Sequence, residues 1–348
     1  MANKAYLILE NGTIFEGKSI GASGDVVGEI VFTTGMTGYL ETVTDSSYHG
    51  QMIVQTFPLI GNYGVIPADF EAPEIAARAY IIKHPCQDPS NFRCEGELDI
   101  FLRERGVIGL SGIDTRKLTK LIRDNGVMNG KITTTPPTAA DQSEAKAYTI
   151  SNAVAAVSPR GIKKIGGEGR KVVMLNLGAK NSIANALIAH GCEVWSFPHD
   201  ASAEDILAAN PDGIVLSNGP GNPAAPENKP IIDTIAKLDI SGIPIFGIGL
   251  GHQLLAIVKG YKTEKMKFGN RGGNQPVKDL KTGRVYNTGQ NHGYAVIADD
   301  SWFINVNDDS CEGLDYGSSF SVQFYPGSTG GPLDTEFLFN VFAERMEK

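Results

Sequence analysis

Cysteine is scarce: four residues in a chain of 348, Cys86, Cys94, Cys192 and Cys311, widely scattered. That usage excludes a disulfide framework and predicts free thiols in a reducing cytoplasm. Cys86 and Cys94 are the one near pair, and no second pair completes a zinc set, so no metal is expected. No apolar stretch reaches the ~20 residues of a membrane-spanning helix. A dense Lys/Arg run is also missing and the net charge is −8, which argues against a nucleic-acid-binding surface. Met1 to Leu9 runs straight into a strand without a signal-peptide pattern, so a cytoplasmic location is expected. Internal repeats and low-complexity segments are absent as well.

What is present is ordinary for a water-soluble globular chain, with 41% hydrophobic and 20% charged residues. The length predicts two domains. Tyr6 to Phe15 reads as two short strands around Asn11-Gly12, a pair that favours a type I′ hairpin. Two helices follow later. Leu98, Phe101 and Leu102 share one face before Gly106. Asp114 caps the next, whose stripe is Leu118, Leu121 and Ile122 before Gly126. This half is expected to be an α+β domain. Between about Pro136 and Arg170 the composition turns to Ala, Ser, Thr, Gly and Lys, with one apolar piece, Ala153 to Val157, expected to pack as a short helix. The domains are therefore expected at 1–150 and 171–348, with a linker at 151–170.

The second half alternates strand and helix from Val172 onward. Strands are expected at 172–176, 193–197, 213–217 and 243–248, with helices between them. The helix after Ser202 opens on a Ser202–Asp205 capping pair. Such alternation predicts a doubly wound, mostly parallel α/β sheet with chemistry at the carboxyl ends of its strands. There the chain carries Asn218-Gly-Pro-Gly221 and Gly247-Ile-Gly-Leu-Gly-His-Gln253. The second has the strand–turn–helix layout of a nucleophile elbow, with Gly249 at its apex. Glycine offers no reactive atom. His252 is expected to pack or to bond backbone. His292 is expected in a Gly-flanked loop, and Cys311 in a surface turn, so no replacement triad is visible.

These segments, with Ser321-Val-Gln-Phe-Tyr-Pro-Gly-Ser328, resemble the class I glutamine amidotransferases, whose elbow reads G-I-C-L-G-H-Q and whose late motif reads Q-F/Y-H-P-E. Phe32-Thr-Thr-Gly-Met-Thr-Gly-Tyr39, Pro58 to Gly64, Gly112 to Arg116 and Gln290-Asn-His-Gly-Tyr294 are similar to the carbamoyl phosphate synthetase small subunits. The resemblance implies glutamine hydrolysis through a cysteine thiolate, a histidine and an orienting glutamate, with ammonia passed to a large subunit that uses ATP and Mg. No cofactor is implied for this chain itself, and the implied assembly is a heterodimer that can associate further. The cysteine, histidine and glutamate positions correspond to Gly249, Tyr325 and Gly327. The glutamine-contacting positions correspond to Ser47, Gly219, Gly221, Leu250, Gln253, Asn291, Gly293 and Tyr294. Nearby, Asn270, Arg271 and Gln275 stand where the family segment carries histidines.

A thioester route needs a nucleophile, and Gly249 supplies none. Tyr325, with an ordinary pKa near 10, is a poor base at neutral pH. Losing one triad member costs a hydrolase roughly a million-fold in rate, about 8 kcal/mol of barrier. Three functions fit these residues. One is a glutaminase-dead small subunit supporting an ammonia-dependent large subunit. The others are a non-catalytic glutamine sensor and a deliberately inactivated variant of an active subunit.

Overall fold

The computed structural model describes residues 4–327 and 330–347. Met1 to Asn3, and Ser328 at the end of the late motif, lie outside the described residues. Two compact units divide the chain, Met1–Ile150 and Ser151–Lys348.

In the first unit, strands Lys4–Leu9, Ile14–Gly21, Ile108–Ser111, Ala79–Ile82, Gln51–Gln55, Val26–Thr33 and Met128–Thr133 close a barrel in that order. The first two form the expected hairpin, but not with a type I′ turn. Asn11 keeps a negative φ and only Gly12 enters the left-handed region, at φ 87. The Gly12 N–H donates to Leu9 O at 2.8 Å, and Asn11 Oδ1 accepts from the Thr13 N–H at 2.9 Å. Asn11 therefore acts through its side chain rather than through an unusual backbone angle. On the barrel's outside, Ile53 and Tyr80 pack against Leu98, Phe101 and Leu102 of helix Leu98–Glu104. Helix Thr115–Asn125 starts on the Asp114 cap, which accepts from the Lys117 N–H at 2.9 Å, and buries Leu118 and Ile122. Leu121, expected in that stripe, is half-buried.

The stretch after Pro136 is more ordered than its composition implies. Thr138 and Asp141 form a reciprocal capping box for helix Ala139–Ala147. Lys131 holds that helix to the barrel through Asp141 at 2.8 Å and Glu144 at 2.7 Å. Residues 151–170 do not form a linker. They belong to the second unit, where Val154 of helix Ala153–Val157 joins the core and Lys163–Gly166 pairs antiparallel with Cys192–Pro198. The short helix stands where the apolar piece Ala153 to Val157 implies it, whereas the small-residue composition hid the edge strand, which needs few large side chains.

The second unit is built on a ten-stranded sheet. Its parallel part runs Cys192–Pro198, Arg170–Asn176, Gly213–Leu216, Ile245–Ile248 and Phe320–Val322. Antiparallel strands Cys311–Asp315, Val285–Ile297, Lys262–Asp279 and Phe303–Asn305 extend it. Alternation along each strand builds two cores. Val172, Met174 and Val215 meet Ile183, Leu187, Phe339 and Phe342 on one face, whereas Val173, Leu175 and Ile214 meet Ile206, Ile235, Leu238 and Leu254 on the other. Helices thus cover both faces, as strands buried on both sides require. In sheet order the first two parallel strands are swapped relative to the chain. The order reverses between Arg170–Asn176 and Gly213–Leu216, which opens a crevice beyond their carboxyl ends.

Candidate functional site

Strand Ile245–Ile248 passes into helix Leu250–Val258 through Gly249 alone, at φ 59 and ψ −113. The helix begins four residues earlier than the apolar run implies. Close backbone packing forces so sharp a turn. A Cβ on Gly247 would lie 2.7 Å from Gly251 O, and one on Gly251 would lie 2.2 Å from Leu216 O. The Gly249 N–H donates to Val322 O at 2.9 Å. The elbow is therefore present in full backbone form, with no side chain at its apex.

Asn218 and Tyr325 border that apex. A Cβ on residue 249 would meet Asn218 Cβ at 3.2 Å and Tyr325 Cε1 at 3.8 Å. Asn218 is buried. Its Oδ1 accepts from the Lys180 N–H at 3.0 Å, and its Nδ2 donates to Gly178 O at 3.1 Å. The Lys180 ammonium stands 4.3 Å from the centre of the Tyr325 ring. Tyr325 itself is held by its N–H donating to Gly289 O at 2.9 Å. Gly219 packs too tightly for a side chain, since a Cβ there would lie 2.4 Å from Leu177 O and 2.9 Å from Leu250 Cδ2. Gly221 borders Ala153 and Gly327 borders Phe339, whose ring edge would lie 2.9 Å from a Cβ on 327.

The remaining wall comes from strand Val285–Ile297. Asn291 Oδ1 accepts from Arg271 Nε at 3.1 Å, while Arg271 Nη1 donates to Phe268 O at 2.6 Å. Gln253 spends its amide nitrogen inside the fold, donating to Tyr294 O at 2.9 Å and to Gln323 Oε1 at 2.8 Å. His292 lies in this strand rather than in a loop. Its Nδ1 is 2.9 Å from Tyr294 O, and its Nε2 is 3.5 Å from the fully buried Glu312. Burial pushes the Glu312 carboxyl up, against the opposing effect of His292. His252 is fully buried and bonds a side chain, Ser321 Oγ at 2.8 Å, rather than backbone. Desolvation, reinforced by His292, lowers its pKa to about 3, so it is neutral at pH 7.

The two thiols of this unit, Cys192 and Cys311, are buried in strands. Cys311 is a buried strand residue rather than part of a surface turn, and burial pushes its pKa up to about 11. Burial likewise raises the Cys192 thiol. Neither is a thiolate at neutral pH.

Comparison with known proteins decides the family. Residues 7–132 match the model of the carbamoyl-phosphate synthase small chain, CPSase domain, and residues 173–345 that of class-I glutamine amidotransferase. The carbamoyl phosphate synthase small chain of Clostridium perfringens is 46% identical over 97% of this chain and 98% of that one. The chain belongs to the carbamoyl phosphate synthase small-chain family. The small chain of Fusobacterium nucleatum is 42% identical over 98% of each chain. The pyrimidine-specific small chain of Halalkalibacterium halodurans is 43% identical over 99% of this chain and 97% of that one.

Of the expected positions, Ser47 is the one carried by the first unit. It lies in the short turn Ser46–Tyr48, with its N–H on Asp45 Oδ1 at 2.9 Å. Gly219 and Leu250 touch, and Gln253 reaches the backbone of Tyr294, so these positions converge within the amidotransferase half. Lys180 and Glu312 escaped the motif reading, and Asn218 entered it only as the first residue of its Gly-rich loop. Lys180 and Asn218 were still within reach, because each follows one of the two strands that flank the order reversal. Glu312 had no local signal, since its partners come from another strand.

Proposed function

We propose that this chain is the small subunit of a carbamoyl phosphate synthetase whose glutaminase site performs no chemistry. It docks on a large subunit that carries ATP and Mg, and it supports synthesis from free ammonia in the cytoplasm. Carbamoyl phosphate made this way would feed pyrimidine or arginine precursors. The single observation that carries this reading is Gly249. The elbow backbone is intact, yet no atom projects from its apex to attack an amide. The two nearest supports agree with it. Tyr325 brings a phenol where the family carries an imidazole, and Gly327 brings no carboxylate. The two thiols of the same unit are buried and protonated at neutral pH.

Purified with its large subunit, the chain should support carbamoyl phosphate formation from ammonium, bicarbonate and ATP. Replacing ammonium with glutamine should reduce the rate to background. Comparable rates with the two nitrogen sources would refute the proposal.

A further inference from the structure

A site that merely lost its nucleophile would remain an open amino-acid pocket. The geometry points to a different state. We propose that this cleft is closed by the chain's own Tyr325 ring, braced by Lys180, while Arg271 already engages Asn291 and Gly293. Free glutamine is then not admitted. The inference rests on reading Gly249 as the vacated apex of an amidotransferase site, and it adds a claim about binding rather than chemistry.

Three contacts support it. The Tyr325 ring is in van der Waals range of the point where a side chain at 249 would begin, 3.8 Å from Cε1. An amide carbon poised for attack must come within ~3–3.5 Å of a nucleophile growing from that point. The ring competes for that volume. Second, the ring is anchored rather than free to swing away. Tyr325 is 5% exposed and Lys180 5%, and the ammonium sits over the ring face at 4.3 Å. A desolvated cation on an aromatic face is a strong attachment. Helix Asn181–Ala189 begins directly after Lys180, and the Lys180 N–H is fixed by Asn218, so the anchor's own backbone is held.

The third contact is Arg271, 4% exposed, beside Asn291 and Gly293. Its Nη2 lies 3.1 Å from where a Cβ on Gly293 would stand, and its Nε occupies Asn291 Oδ1. Asn291 and Gly293 are two of the positions that a glutamine ligand would touch. One is already engaged and the space over the other is taken. A ligand ammonium approaching there would also meet the guanidinium charge.

The test is calorimetry of the full-length chain with glutamine, for the unaltered protein and for Tyr325→Phe, Tyr325→Ala and Tyr325→His. The unaltered chain and Tyr325→Phe should give no heat at millimolar ligand. Tyr325→Ala, which removes the ring, should gain at least tenfold in affinity. Tyr325→His, a smaller ring with less demand on folding, carries the same expectation if the alanine variant does not fold. Glutamine binding by the unaltered chain below millimolar overturns the inference. Absence of any gain in folded Tyr325→Ala and Tyr325→His overturns it equally, because something other than Tyr325 would then close the site. Either outcome leaves the ammonia-dependent reading standing, since that reading fails only on glutamine-driven turnover.

Discussion

Gly251 lies against the carbonyl of Leu216 so closely that a Cβ on it would come within 2.2 Å of that oxygen. The contact joins the first turn of the elbow helix to the neighbouring strand. It explains why the turn keeps its shape without a reactive residue: backbone packing imposes it. Gly251→Ala is therefore expected to cost more than about 3 kcal/mol, the range of severe overpacking. Urea denaturation measures this directly. A loss below about 1 kcal/mol would mean that the helix shifts freely away from the sheet.

Gly249 carries the strain question. At φ 59 and ψ −113 a residue with a Cβ is disfavoured, and the new Cβ would press on Asn218 at 3.2 Å. Gly249→Cys should lower stability by about 1–3 kcal/mol. It should not by itself release glutamate, because Tyr325 and Gly327 supply neither an imidazole base nor an orienting carboxylate. Adding Tyr325→His and Gly327→Glu should return measurable release, provided the Phe339 ring moves aside for the glutamate. Denaturation curves and a glutamate assay on the single and triple variants check both statements.

His252 makes acid stability predictable. Its folded pKa is depressed to about 3 by burial, against an ordinary value near 6.5. Below 6.5 the unfolded chain binds a proton that the folded chain refuses. This group's contribution is therefore complete above about pH 6.5 and falls away as pH drops toward 3. The denaturation midpoint should fall between pH 7 and pH 4.5, and His252→Asn should fall less steeply over the same interval. Parallel profiles for the two proteins would show that another group governs the acid limb.

The sequence was most legible where local chemistry decides structure. The Asp114 and Ser202 caps, the apolar strands and the Gly-rich elbow all stand where their residues imply. It was least legible where long-range pairing decides. The closure of the first unit into a barrel depends on Met128–Thr133 meeting Lys4–Leu9, which no local pattern announces. His292 and Cys311 read as loop and turn because Gly and Asp flank them, yet strand pairing overrode both cues. The glycines at 219 and 251 were visible as turn formers. Their tight approach to Leu177 and Leu216 emerges only once the sheet is assembled.

The central claim is that nitrogen does not enter through this chain. The most direct measurement supplies the assembled synthetase with amide-labelled glutamine and unlabelled ammonium together, then reads the label in carbamoyl phosphate. The account predicts product nitrogen drawn from ammonium, with label no higher than in a reaction lacking the small subunit. Product carrying the glutamine label as its main nitrogen source would contradict it.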